Sequence, residues 1–236
     1  MSDDHLTPTK PELLDTLAAK VEAFRRDPRS GDLYRDLKES LRQANQGAQL
    51  AEIAELHAAH QSDAQRAAAI LVEAGATRLR LGQAAEGERD LRDALVHDPA
   101  SEQAANRLSE HLIARGRFAE AAAVIEAEVE TLAQMAESGA NGGELNGRRA
   151  ERHRQVAALW DGKLARVDRA LHHWQRAWQL EPLRTEALEA ARAIYVSLGK
   201  PKMVAQLYQA ELEILPPAEE SADAGERRAQ IALELG

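Results

Sequence analysis

The chain has 236 residues, a formal net charge of −9 and no cysteine. An acidic surface repels phosphate backbones and no Lys/Arg-rich run is present, so we expect no nucleic-acid partner. Without cysteine the chain can form no disulfide, thiolate metal site or lipidated cysteine.

Composition also bears on fold class and location. Ala, Leu, Glu, Arg and Gln dominate and aromatic residues make up only 3%, which predicts an all-α protein. The acidic N-terminus lacks the apolar segment of a signal peptide. No run of about 18 apolar residues is available to span a membrane. We therefore expect a cytoplasmic protein without membrane insertion.

The N-terminal region is predicted to cap the rest of the chain. Residues 1–9 are polar and are expected to be disordered. Thr9 offers an N-cap to a first helix, which ends before Pro28 because the residue before proline avoids the α region. A helix hairpin comes next, and its register fits poorly with the 34-residue spacing of the later repeats. Residues 10–61 are therefore predicted to form an N-terminal capping helix plus a divergent helix hairpin.

The rest of the chain repeats itself at a fixed spacing. Gly82 returns as Gly116, 34 residues on, and Pro182 returns as Pro216 at the same spacing. A period in this range is typical of stacked supersecondary units rather than one closed globule.

Each repeat carries the residue types of a helix hairpin. In the first clear repeat Gly75 lies on the first helix, Gly82 marks the turn, and Leu91 and Ala94 lie on the second helix. At these positions the chain resembles the tetratricopeptide repeat (TPR) family, although Arg78 stands where that family has tyrosine and Leu91 where it has an aromatic residue. The resemblance implies an all-α, right-handed superhelical solenoid of antiparallel helix hairpins.

The register divides the chain further. Two TPR-like repeats are expected in 62–135, where Glu128 breaks the pattern, and two more in 149–218. Four glycines and two asparagines fall in twelve residues between them, so 136–148 is predicted to be a flexible inserted loop. Residues 219–236 are expected to be the first helix of a further, truncated repeat. That helix either caps the array or belongs to a longer one, and we favour the second, in which the chain is part of a larger multi-repeat protein.

The resemblance also implies a binding surface, because the first helices of successive TPR repeats line a concave groove. The implied partner-binding positions are Arg80, Asn106, Arg107, Glu110, Ile113, Arg152, Gln155, Val156, Leu159, Lys163, Glu189 and Val196. The aliphatic members would anchor a partner protein or peptide, and Arg107, Arg152 and Lys163 would pair with its acidic groups. The open alternative is that these basic groups pair only with neighbouring Glu110 and Glu151.

Residues suited to catalysis or metal binding do not converge in the pattern. His172 and His173 are adjacent, and adjacent residues on a helix point about 100° apart, so they cannot easily share one ion. No Gly-rich phosphate loop is present, and the carboxylates of the helices diverge. We expect no catalytic residue, no metal site and no cofactor.

These observations predict a non-catalytic scaffold that binds a partner in the groove of a TPR array. The alternative is a targeting or substrate-recognition module of an enzyme or regulator whose active domain lies beyond residue 236. Self-association through the open C-terminal face is a further hypothesis.

Overall fold

The computed structural model describes residues 10–139, 142–217 and 221–235, with side chains from Thr16 onward. The described residues form twelve helices and no strand, which confirms the predicted all-α class. Among these helices, none combines the length and apolar character that a bilayer span requires.

The chain divides into two compact units, and the first is Met1–Leu108. Its helices are α1 (Lys10–Arg26), α2 (Gly31–Gln43), α3 (Gly47–Ala58), α4 (Ala64–Arg80), α5 (Ala84–His97) and the start of α6 (Glu102–Ala114). Each helix from α1 to α4 packs against the next one along the chain. Short connections of this kind make consecutive helices antiparallel neighbours.

Local chemistry sets the helix ends of the first unit. Helix α1 ends two residues before Pro28. The side chains of Ser30 and Asp63 cap α2 and α4, each accepting a hydrogen bond from the backbone N–H three residues on. Gly82 follows α4 with a φ of +77°, a left-handed conformation that favours glycine. The predicted Thr9 cap lies outside the described residues.

The α4–α5 crossing is close because both helices present glycine there. A Cβ added at Gly75 would lie 2.9 Å from the carbonyl oxygen of Gly87, and one added at Gly87 would lie 3.0 Å from that of Gly75. Leu91 packs beside this crossing and is fully buried. The small residues of the repeat therefore set how closely its two helices approach.

Arg78, which departs from the family pattern, forms buried ion pairs. Its guanidinium donates to Asp90 on α5 at 2.7 and 2.8 Å and to Glu55 on α3 at 2.6 and 2.7 Å. Hydrogen bonding to Arg78 holds the pKa of Glu55 at about 2, whereas burial raises the pKa of Asp90 to about 7. Arg78 thus connects helices α3, α4 and α5 through its ion pairs.

The second unit is Ser109–Gly236. It holds the end of α6 and then α7 (Phe118–Glu137), α8 (Gly142–Gly162), α9 (Val167–Leu180), α10 (Glu186–Ser197), α11 (Pro201–Ile214) and α12 (Ala222–Leu235). From α7 onward each helix packs against the next. Gly116, Ala165 and Gly199 adopt the left-handed backbone conformation in the turns between helices, and Ala165 is the one of these three that is not a glycine.

The predicted loop at 136–148 is wrong for residues 136–137, which end α7, and for residues 142–148, which form the first turns of α8. Helices α7 and α8 have 20 and 21 residues, against 14 in α5, so much of the insertion lengthens two helices. Arg148 donates to Glu128 on α7 at 3.0 Å, and this contact holds the glycine-rich turns in place. Residues 140–141 lie outside the described residues.

Candidate functional site

A groove of about 600 Å³ lies in the first unit between α2, α3, α4 and the start of α6, and we call it the N-terminal groove. Its apolar lining residues are Leu41, Leu50, Ala54, Ala69, Val72, Ala74, Ala76 and Leu81. Its polar lining includes Tyr34, Arg42, Asn45, Glu73, Arg80 and Arg107. The first helices of neighbouring hairpins thus supply most of the surface.

Tyr34 is held rigidly in this lining. Its ring stacks on His57 with centroids 4.1 Å apart, and Phe24 lies 6.1 Å away at a tilt. His57 is fixed in turn, because its Nδ1 lies 2.7 Å from the Pro28 carbonyl oxygen. The Tyr34 hydroxyl is buried and has no hydrogen-bond partner among the described residues. Burial, reinforced by the charge of Glu73, raises the pKa of Tyr34 to about 12, so the hydroxyl remains a donor at neutral pH.

The charges of the N-terminal groove are mostly positive. Its lining holds three basic side chains, Arg42, Arg80 and Arg107, and a single carboxylate, Glu73. Arg42 donates to Glu73 at 2.9 Å, and Lys38 donates to the other oxygen of the same carboxylate. Arg80 and Arg107 are both exposed, and among the described residues Arg80 hydrogen-bonds within its own helix, so both are accessible to a bound molecule.

The structure brings some of the sequence-predicted residues into this groove. Arg80 and Arg107 line it, and Asn106 is half-buried beside them on α6. Sequence reasoning missed Tyr34 and Arg42, because the 34-residue register did not extend to the divergent N-terminal hairpin. A signal was present nonetheless, since Lys38 and Arg42 lie four residues apart and therefore on one face of α2, each directly after a buried leucine.

The predicted residues of the second unit fall into two groups. Those exposed to solvent are Glu110, Ile113, Lys163, Glu189 and Val196, and Gln155 is half-buried. Arg152, Val156 and Leu159 are instead buried, with exposed fractions of 3%, 0% and 8%. These three are interior residues rather than groove residues. The binding role of the exposed members stays a prediction.

Arg152 is buried because an acidic residue on the preceding helix requires compensation. Its Nε lies 2.9 Å from Oε2 of Glu128, which is 1% exposed. Glu151, the partner suggested by the sequence, pairs instead with Arg154 at 3.0 Å. A buried carboxylate is costly unless paired, so Glu128 holds Arg152 in the interior.

An equivalent pair joins α11 to α12. Glu211 follows Glu128 by the same 83 residues that separate Gly116 from Gly199. It is fully buried and accepts hydrogen bonds from the buried Arg192 on α10 and, at 2.6 Å, from Arg227 on α12, whose side chain is 26% exposed. In both places a buried glutamate of one repeat thus pairs with an arginine of the next repeat.

A buried imidazole pair joins α8 to α9. Nδ1 of His153 lies 2.9 Å from Nδ1 of His173, whose Nε2 lies 3.1 Å from Glu126. Trp160 donates to the same carboxylate at 2.8 Å. Burial lowers the pKa of His153 to about 3 and also lowers that of His173, so both rings are neutral. In the described parts of the chain, no cluster offers three or more potential metal ligands.

The stacked helix hairpins of each unit define the chain as an α-helical repeat protein. Among solved structures, the chain is similar to a crystal structure of MamA protein, with 14% identity and a TM-score of 0.47 over 84% of this chain and 93% of that chain. It is also similar to a MamA RS-1 double mutant, with 17% identity and a TM-score of 0.45 over 79% of this chain and 94% of that one.

A third similar structure is MamA from residue 41 to the end, from Desulfovibrio magneticus RS-1, with 17% identity and a TM-score of 0.43. That likeness covers 80% of this chain and 95% of the MamA chain. No protein-family model and no curated protein matches the sequence. At these identities and TM-scores, the likenesses carry no inference about what this chain binds.

Proposed function

We propose that this chain is a non-catalytic protein-interaction module whose N-terminal groove binds an acidic segment of a partner protein. The observation that carries the proposal is the charge of the groove. Arg42, Arg80 and Arg107 line it with one carboxylate, in a chain whose net charge is −9. A local positive strip on an otherwise negative surface is a selective attractor for an acidic segment.

The apolar part of the groove supports binding of a peptide rather than a simple anion. Leu81 is 51% exposed at one edge, and Leu50 is half-buried near it. An aliphatic side chain of the partner that became fully buried against them would contribute about 1.5–3 kcal/mol. An amphipathic helix and an extended segment can both present acidic and aliphatic residues in this way.

A displayed library of random peptides tests the proposal even though the natural partner is not identified. Selection on the wild-type chain should enrich peptides that combine Asp or Glu with Leu, Ile or Val. Selection on the Arg80→Glu, Arg107→Glu variant should not. Arg80 bonds only within α4 and Arg107 is exposed, so neither change removes an interior contact and helical circular dichroism should be unchanged.

A matched control separates the groove from the net charge. Arg26→Glu with Arg29→Glu reverses the same number of charges at exposed positions that do not line the groove. An enriched peptide should bind about tenfold more weakly to the groove variant than to this control, with a flatter salt dependence. Equal affinity for the two variants would refute the N-terminal groove as the binding site.

A further inference from the structure

The carboxylate of Glu73 occupies donors that an acidic partner would use. It accepts from Lys38 and Arg42 on the neighbouring helix α2. The side chains of Glu73 and Arg42 are 47% and 51% exposed, so this internal ion pair is in contact with solvent. Exposed ion pairs contribute little net stability, and one carboxylate can therefore exchange for another at low cost.

A second donor lies close to this carboxylate. Tyr34 is buried, and its hydroxyl has no partner among the described residues. Lys38 lies over the Tyr34 ring at 5.7 Å, and Glu73 is near enough for its charge to act on the hydroxyl. A buried donor without an acceptor is unfavourable, so a ligand oxygen that reached it would be favoured.

We propose that Glu73 is an internal competitor for the N-terminal groove: a partner carboxylate displaces it from Lys38 and Arg42 and accepts a hydrogen bond from Tyr34. This rests on the proposed function and adds the residue that sets its selectivity. A segment that presents an amide in place of the carboxylate cannot replace Glu73, because it brings no charge to the two basic groups. A segment whose carboxylate cannot reach Lys38 and Arg42 likewise leaves Glu73 in place and does not bind.

Fluorescence anisotropy with the full chain tests the competition. The probes are a labelled synthetic peptide of Glu and Leu and its counterpart with Gln in place of Glu. Glu73→Gln should bind the Glu peptide about three- to tenfold more tightly than wild type, because the internal competitor is gone. Glu86→Gln is the control, since it removes one exposed negative charge on α5 outside the groove lining.

Two further variants locate the exchanged carboxylate. Tyr34→Phe should weaken binding of the Glu peptide by about three- to tenfold, because the hydroxyl donor is lost. Adding Lys38→Gln and Arg42→Gln to Glu73→Gln should abolish the gain. Urea denaturation of each variant shows whether the fold is retained, and the Gln peptide should report no difference among them.

The outcomes separate this proposal from the proposed function. If wild type prefers the Glu peptide but Glu73→Gln binds it no more tightly than Glu86→Gln, internal competition is wrong and the basic groove stands. An unchanged affinity of Tyr34→Phe removes the hydroxyl from the site. If neither wild type nor Glu73→Gln distinguishes the Glu peptide from the Gln peptide, both proposals are wrong.

Discussion

Replacing Glu128 by alanine tests the buried charge pair of the second unit. The change leaves Arg152, whose side chain is 4% exposed, without its carboxylate in the interior. Removal of one partner of a buried pair costs about 3–5 kcal/mol, because the remaining charge is uncompensated. Arg148 shares the same carboxylate but is 25% exposed, so it can turn toward solvent. We therefore expect the loss to come mainly from Arg152.

A second substitution should recover most of that loss. Glu128→Ala with Arg152→Gln reproduces the Ala94 and Gln103 combination that occupies the equivalent positions of the first unit. Replacing both partners of a buried ion pair leaves no uncompensated charge and therefore costs less than removing one partner alone. The double variant should therefore be more stable than Glu128→Ala alone by at least about 2 kcal/mol.

Urea denaturation followed by circular dichroism measures each free energy of unfolding. A double-mutant cycle with Glu128→Ala, Arg152→Gln and the double variant then gives the coupling energy. Glu52→Ala, at an exposed position on α3, is a control and should change stability by less than about 0.5 kcal/mol. Additive effects of the two single substitutions, or losses below about 1 kcal/mol, would show that the pair is not a coupled interior contact.

Three other predictions concern the packing, the turns and the pH dependence. Leu91→Ala and Ile125→Ala should each cost roughly 2–5 kcal/mol in urea denaturation, whereas Val96→Ala, at a 79% exposed position, should have almost no effect. Ala165→Gly should raise the melting temperature, because alanine at a φ of +51° is disfavoured by about 1 kcal/mol relative to glycine. Folding lowers the pKa of His153 from 6.5 to about 3, so between these pH values the unfolded state binds a proton that the folded state does not. The contribution of His153 to stability should therefore be fully present above pH 6.5 and decline below it. His153→Gln should flatten this decline in urea denaturation measured across the pH range.

The repeat register predicted most of the fold because helix ends and close crossings depend on local residue types. Gly82, Gly116 and Gly199 all adopt the left-handed conformation that ends a helix, as their spacing suggests. The register could not find the helical start of α8, because glycine is a poor helix former and the contact of Arg148 with Glu128 lies outside any local pattern.

The candidate site was harder to predict, because burial at one position depends on a residue in another helix. Gln103 and Arg152 occupy the same place in the repeat, yet Gln103 is exposed in the N-terminal groove and Arg152 is buried. Their burial differs because of the second helix of the preceding repeat. That helix carries Ala94 before Gln103 and Glu128 before Arg152. A register that treats each repeat alone assigns both to the groove.

The remaining repeats show the same dependence. Glu186 comes after Ala177 and is exposed, whereas Arg227 comes after the buried Glu211 and pairs with it. An arginine therefore stands at this position where the preceding second helix carries a glutamate, and a residue of another type stands there where it carries alanine. The buried glutamate engages the next repeat's arginine in an internal ion pair, which buries Arg152 and leaves Arg227 part-exposed because the buried Arg192 also pairs with Glu211. At this position of the repeat, a basic side chain is therefore available to a partner only where the preceding helix has no acid to pair with it.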